Sequence, residues 1–203
     1  MRFFIPMIAL YFFTADMVQG QQNIQRAQAQ VGLSGVGLLA NVAQRVDFVN
    51  AIDVNVTPSL QLAYDRFVTK KVSLGVTLAY QHVKVTYFDY QFEEDGETII
   101  NDYNTQLTRI NGSVRGLFWY NPDSKAKFYS GFRLGVSNWS ADTSVPDPRY
   151  DIDSFINLAL GANIAPQLVI IGSDFAIGSQ WNISGELAIG APYFASIGMS
   201  YQW

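Results

Sequence analysis

Residues 72–81 read VSLGVTLAYQ. Val72, Leu74, Val76, Leu78 and Tyr80 fall on one face of an extended chain, and Ser73, Gly75, Thr77, Ala79 and Gln81 on the other. A strict period of two predicts a strand with one apolar face and one small polar face. The same alternation, punctuated by Gly, Pro, Asn and Asp, predicts further strands on both sides of this one. The full set is approximately 30–39, 57–67, 71–87, 104–120, 127–139, 155–177 with an interruption near Pro166, 182–190 and 193–203, which makes eight.

The connections alternate in length. Short ones surround VTKK (68–71), NPDSKA (121–126) and GSQW (178–181), and much longer ones lie between; only the last connection, around GAP (190–192), breaks the scheme. An antiparallel meander of even strand number, with short turns at one end and long loops at the other, is the plan of a transmembrane β-barrel. The predicted fold class is therefore all-β, an eight-stranded antiparallel up-and-down barrel.

Which face is inside follows from where the charges stand. A soluble barrel shows Lys and Glu to water, but here all five lysines, Lys70, Lys71, Lys84, Lys125 and Lys127, lie near turns or loops. Asp65, Arg109, Arg115, Arg133, Asp174 and Glu186 are mid-strand and all fall on the small polar face. An arginine facing lipid near the midplane costs about 2–4 kcal/mol, so that face is the lumen and the apolar face meets lipid. The six charges, three of each sign, are expected to form ion-pair networks that fill the lumen, because eight strands enclose room for side chains and little else. Aromatic residues collect at the two rims: Phe118, Trp119, Tyr120, Phe128, Trp181 and Trp203 beside the short turns, and Tyr80, Tyr87, Phe88, Tyr103 and Trp139 toward the long loops.

The ends of the chain agree with export. Residues 1–20, MRFFIPMIALYFFTADMVQG, carry one basic residue, Arg2, then an apolar run too short to span a bilayer as a helix, which takes about 20 residues. They read as a cleaved secretory signal, leaving residues 21–203 as one barrel domain. There is no cysteine, hence no disulfide framework. The formal charge is −4, and no basic stripe suggests nucleic acid.

Catalytic and metal signatures are thin. His82 is the single histidine, and AYQHVKVTY offers no serine close on its face, which argues against an envelope-lipid enzyme. The acidic stretches FEEDGET (92–98) and ADTSVPDPRYDID (141–153) lack the spacing of a calcium loop and read as solvated surface charge; a calcium bridge to lipopolysaccharide phosphates is the weaker reading. No cofactor is expected.

The signal sequence, YDRFVTKKVSLGVTLAY (64–80), GELAIGAPYFASIGMSYQW (185–203) and the terminal aromatic resemble the small outer-membrane β-barrel domain family of Gram-negative bacteria, across nearly the whole mature chain. The resemblance implies an eight-stranded barrel, inserted by the barrel-assembly machinery, which reads a last strand ending in an aromatic. Ile197, Met199, Tyr201 and Trp203 then form the assembly signal. One departure stands in GSDF (172–175), where Asp174 takes a place at which the family's pattern would put a lumen arginine. The expected role is a monomeric structural or adhesive barrel in contact with lipid and lipopolysaccharide. The alternative is a narrow pore for ions or small solutes.

Overall fold

The computed structural model describes residues 24–35, 52–94, 97–144 and 162–203. Nine strands form within them: β1 (Gln25–Leu33), β2 (Ile52–Val56), β3 (Ser59–Thr69), β4 (Val72–Glu94), β5 (Glu97–Trp119), β6 (Ala126–Ser144), β7 (Ala162–Ala176), β8 (Trp181–Gly190) and β9 (Ala195–Gln202). β2 and β3 both pair with β4 and make a single stave, interrupted at Thr57 and Pro58. Every pairing is antiparallel, β1 pairs with β9 and β4 with β5, so eight staves close into a barrel.

Alternation decides which side faces in. Along β3, Leu60 and Leu62 are 53% and 62% exposed, while Gln61 and Asp65 are 2% and 0% exposed. The outer wall is thus Val, Leu, Ile and Phe, and the inner wall is Gln, Ser, Thr, Asp, Glu and Arg. Water cannot stabilise that polarity, because a broad apolar exterior seeks burial while the charged interior is already sealed; lipid around the barrel can. The barrel therefore spans a membrane, and a closed antiparallel barrel of eight staves is the outer-membrane architecture of Gram-negative bacteria.

Several boundaries differ from the sequence expectation. β1 begins at Gln25 rather than 30, and its first residue holds the end of the chain: the Gln25 N–H donates to the Trp203 carbonyl at 2.9 Å. β4 and β5 run 23 residues each and pair as far as Glu94 opposite Glu97. Most of the supposed long loop between them is therefore paired strand. A bilayer needs about 9–11 residues per strand, so this hairpin projects well beyond it. β7 runs unbroken through Pro166, which pairs with Leu134 of β6. β8 ends at Gly190 opposite Gln167, so no β8 residue stands opposite Pro166 and its missing N–H costs no ladder bond there.

The rim aromatics also divide. Phe118, Tyr120, Trp181 and Trp203 are exposed, with Trp181 4.9 Å from Tyr201 and Trp203 5.6 Å from Tyr201 between ring centroids. Trp119, however, is 1% exposed and points into the lumen, one residue out of phase with Phe118. Trp139 turns inward too, beneath Arg109. The side chains of Tyr87 and Tyr103 lie outside the described set, as do residues 1–20 and the acidic stretch 147–153.

Candidate functional site: the barrel lumen

The lumen is layered along the barrel axis. Nearest the short turns is an apolar layer of Phe67, Leu117, Trp119, Tyr129 and Val169, with Ile24 packed against it. The Trp119 ring lies 4.4 Å from that of Tyr129 and 5.2 Å from that of Phe67, and its indole N–H donates to Ser73 Oγ at 3.0 Å. The inward turn of Trp119 thus satisfies its one polar atom while closing this end.

Above it stands an ionic layer centred on Arg26, a residue the sequence reading placed outside the first strand. Its guanidinium donates from Nε and Nη2 to the two oxygens of Asp174, at 2.8 and 2.7 Å, and from Nη1 to Asp65 at 2.9 Å. Arg115 pairs with both oxygens of Asp65, its Nε at 2.6 Å, and donates to Gln28 Oε1 at 2.9 Å. Arg133 pairs with Glu186 and Gln167. Tyr129 and Tyr193 hydroxyls donate to the remaining sides of Glu186 at 2.7 and 2.6 Å, and Arg115 Nη1 stands 3.8 Å from it. Ser184 and Ser200 hydroxyls donate to Asp174 at 2.7 and 3.0 Å.

Three arginines and three carboxylates, Arg26, Arg115, Arg133, Asp65, Asp174 and Glu186, therefore make a neutral and almost fully enclosed set. Buried charges persist on these terms: paired, and with their remaining lone pairs accepting hydrogen bonds. The guanidinium of Arg26 also lies over the rings of Trp119 and Tyr129, at 5.3 and 5.4 Å, which ties the ionic layer to the apolar one.

Arg109, expected among the network, stands apart. It lies nearer the long-loop end, under Gln81 and beside Trp139 in the register of β4, β5 and β6. Its guanidinium sits 5.2 Å from the Trp139 ring centre and donates to the Pro192 carbonyl at 2.5 Å, and no carboxylate among the described residues pairs with it. The sequence departure at Asp174 has its counterpart across the closing seam, since the arginine that meets it comes from β1. QRAQAQ (25–30) carries the signal that would have revealed Arg26: Arg26, Gln28 and Gln30 alternate with alanines.

On the outside, Ile197, Met199 and Trp203 are exposed and Tyr201 is half-buried, all on the lipid-facing side of β9. His82 is half-buried with Nδ1 3.3 Å from Thr108 Oγ1, and no cluster of three or more metal-binding side chains occurs among the described residues.

No protein-family model and no curated protein matches the chain. Among solved structures it is similar to the outer-membrane protein OprG of Pseudomonas aeruginosa, at 11% identity over 92% of this chain and 99% of that one, with a TM-score of 0.49. It is also similar to the attachment invasion locus protein Ail of Yersinia pestis, crystallised with the heparin analogue sucrose octasulfate, at 10% identity over 88% and 99% of the two chains and a TM-score of 0.41.

Proposed function

We propose that the protein is a sealed outer-membrane barrel whose work is done at the cell surface, as a rigid anchor presenting the β4–β5 hairpin and the loops beside it. The observation that carries this reading is the pair of closed layers in the lumen. Among the described residues, a neutral six-charge network over an aromatic layer leaves no polar path from one side of the membrane to the other. Residues 1–20 direct export and are removed, the barrel-assembly machinery inserts residues 21–203, and the barrel works as a monomer among lipid and lipopolysaccharide. The role is non-enzymatic: the one histidine, His82, stands beside the Thr108 hydroxyl on the outer wall, with no carboxylate among its hydrogen-bond partners in the described residues.

The test is electrical. Refolded protein in a planar bilayer should give no steady single-channel current. Arg133→Leu, which strips Glu186 of its closest partner, should produce a leak or a lower unfolding midpoint. Large stable conductance in wild type, with the substitution changing neither property, would replace this reading with that of a narrow pore.

A further inference from the structure

The short-turn end of the barrel is basic. The turn between β3 and β4 carries Lys70 and Lys71, and the turn between β5 and β6 carries Lys125, with Lys127 the second residue of β6. A single acid, Asp123, stands among them, while residues 177–180, between β7 and β8, carry no charge. The acids Asp89, Glu93, Glu94, Glu97, Asp102 and Asp142 all lie toward the other end of β4, β5 and β6, where Lys84 is the one lysine among the described residues. The turn backbones are fixed, yet the ammonium groups are not. The Lys71 carbonyl accepts from the Trp119 N–H at 2.8 Å and the Lys125 carbonyl from the Ala176 N–H at 2.9 Å, while the side chains of Lys70, Lys71 and Lys125 are exposed. Lys127 is half-buried, and its Nζ donates to Gln202 Oε1 at 2.5 Å.

We propose that this rim is a binding collar for anionic phospholipid, in which the lysines hold the headgroup phosphates of the leaflet on the short-turn side. The lysines occupy the part of the rim made by β3, β4, β5 and β6, and the outer wall on their membrane side is aromatic. Phe118 and Tyr120 are 45% and 54% exposed there, and Phe128 packs edge-on against Phe175 with ring centroids 6.0 Å apart. Such rings sit at the boundary of hydrocarbon and headgroup, so the ammonium groups beside them stand at phosphate depth. Tyr120 and Ser130 share one hydrogen bond of 2.6 Å on that wall, and the second hydroxyl hydrogen can donate to a headgroup oxygen. The two lysine turns are two strand spacings apart, about 10 Å, a gap that flexible lysine stems close from both sides. A lipid with two phosphodiesters on one glycerol therefore engages both turns at once, and a lipid with one engages a single turn. Lipopolysaccharide is excluded by position, because short turns face the periplasm in this architecture and the opposite end is the acidic one. The collar rests on the membrane reading of the barrel and not on its surface role, so a conducting barrel would leave it intact.

Native mass spectrometry of the refolded protein in neutral detergent, titrated with lipid, counts the molecules it retains. Cardiolipin should bind most tightly, phosphatidylglycerol more weakly and phosphatidylcholine least. Each of Lys70→Gln, Lys71→Gln and Lys125→Gln should weaken cardiolipin binding about fivefold, and the three together roughly a hundredfold. Replacing the same three lysines by arginine keeps the charge and should keep the binding, and Lys84→Gln, at the acidic end, should bind as wild type does. If the triple variant does not fold, acetylation of the lysines on folded wild-type barrel removes the same charges and should abolish the preference. Equal retention of cardiolipin and phosphatidylcholine, or cardiolipin binding unchanged by loss of the three lysines, overturns the proposal. Displacement of cardiolipin by inorganic phosphate in large excess would also overturn it, in favour of a site for the free anion. Lysine-dependent binding of soluble peptidoglycan fragments, with no preference among lipids, would assign the rim to the cell wall instead.

Discussion

The six charges of the ionic layer are unequal in what they can lose. Asp65 accepts from both Arg26 and Arg115, whereas Asp174 has Arg26 as its single arginine among the described residues, helped by two serine hydroxyls. Removing Arg26 as Arg26→Leu leaves Asp174 buried and uncompensated, which costs roughly 3–5 kcal/mol. The double variant Arg26→Leu with Asp174→Leu leaves two charges of each sign and should regain most of that loss. Urea unfolding of the four proteins of this cycle measures the coupling directly; additive effects of the two substitutions would show that the pair contributes nothing. Arg26 was the least legible of these residues. Its neighbours on the lipid side are Ala27 and Ala29, too small to mark an apolar face, so the alternation of the first strand becomes visible only at Val31. The five other network residues are flanked by larger outward side chains, Tyr64, Val114, Phe132, Leu134, Phe175 and Leu187, and their inward direction could be read from the sequence. What no sequence pattern supplies is which charge meets which, because Arg26 and Asp174 are 148 residues apart and come together only when the barrel closes.

At the scale of the element, backbone pairing explains where the predicted boundaries moved. β4 and β5 run 23 residues each and stay paired as far as Glu94 opposite Glu97, beyond the 71–87 and 104–120 that the alternation predicts, because ladder hydrogen bonds do not depend on an apolar face. Thr57 supplies the opposite case, an interruption the period does not announce. Its backbone N–H donates to the His82 carbonyl and its Oγ1 accepts from the His82 N–H, both at 2.9 Å, so a side chain replaces part of the ladder before Pro58. The last strand carries a prediction of its own. Trp203 exchanges backbone hydrogen bonds with Gln25 and stacks loosely against Tyr201 and Tyr64, a modest set of contacts at the rim. If its main role is to be read during insertion, deleting Trp203 should slow assembly in cells strongly while barrel already formed keeps nearly its full resistance to urea. Pulse-chase accumulation of folded protein separates the two effects. Assembly at the wild-type rate would remove the signal role proposed for Ile197, Met199, Tyr201 and Trp203.

The whole molecule is held by closure more than by any one layer. β1 pairs along eight residues with β3 and along eight with β9, so the first and last strands leave no free edge at the seam. A closed barrel in lipid has every backbone polar group of its wall paired, and opening it would expose two rows of unpaired groups to hydrocarbon at once. The barrier to unfolding is therefore expected to be high and all-or-none. Inside, the ionic layer crosslinks β1, β3, β5, β6, β7 and β8 through six side chains, which ties staves that are not neighbours in the sheet. In mild detergent the folded protein should keep its compact form on an unheated gel and shift to a different apparent size only after boiling. The transition on stepwise heating should be sharp, with no intermediate band, because losing one seam exposes the charged interior to lipid and removes the partners of the rest. Arg26→Leu should lower the temperature of the shift without blurring it. Gradual heating with persistent intermediate species would show that the staves unzip one by one, and recovery of the protein as a soluble species with no need for detergent would remove the membrane from the account.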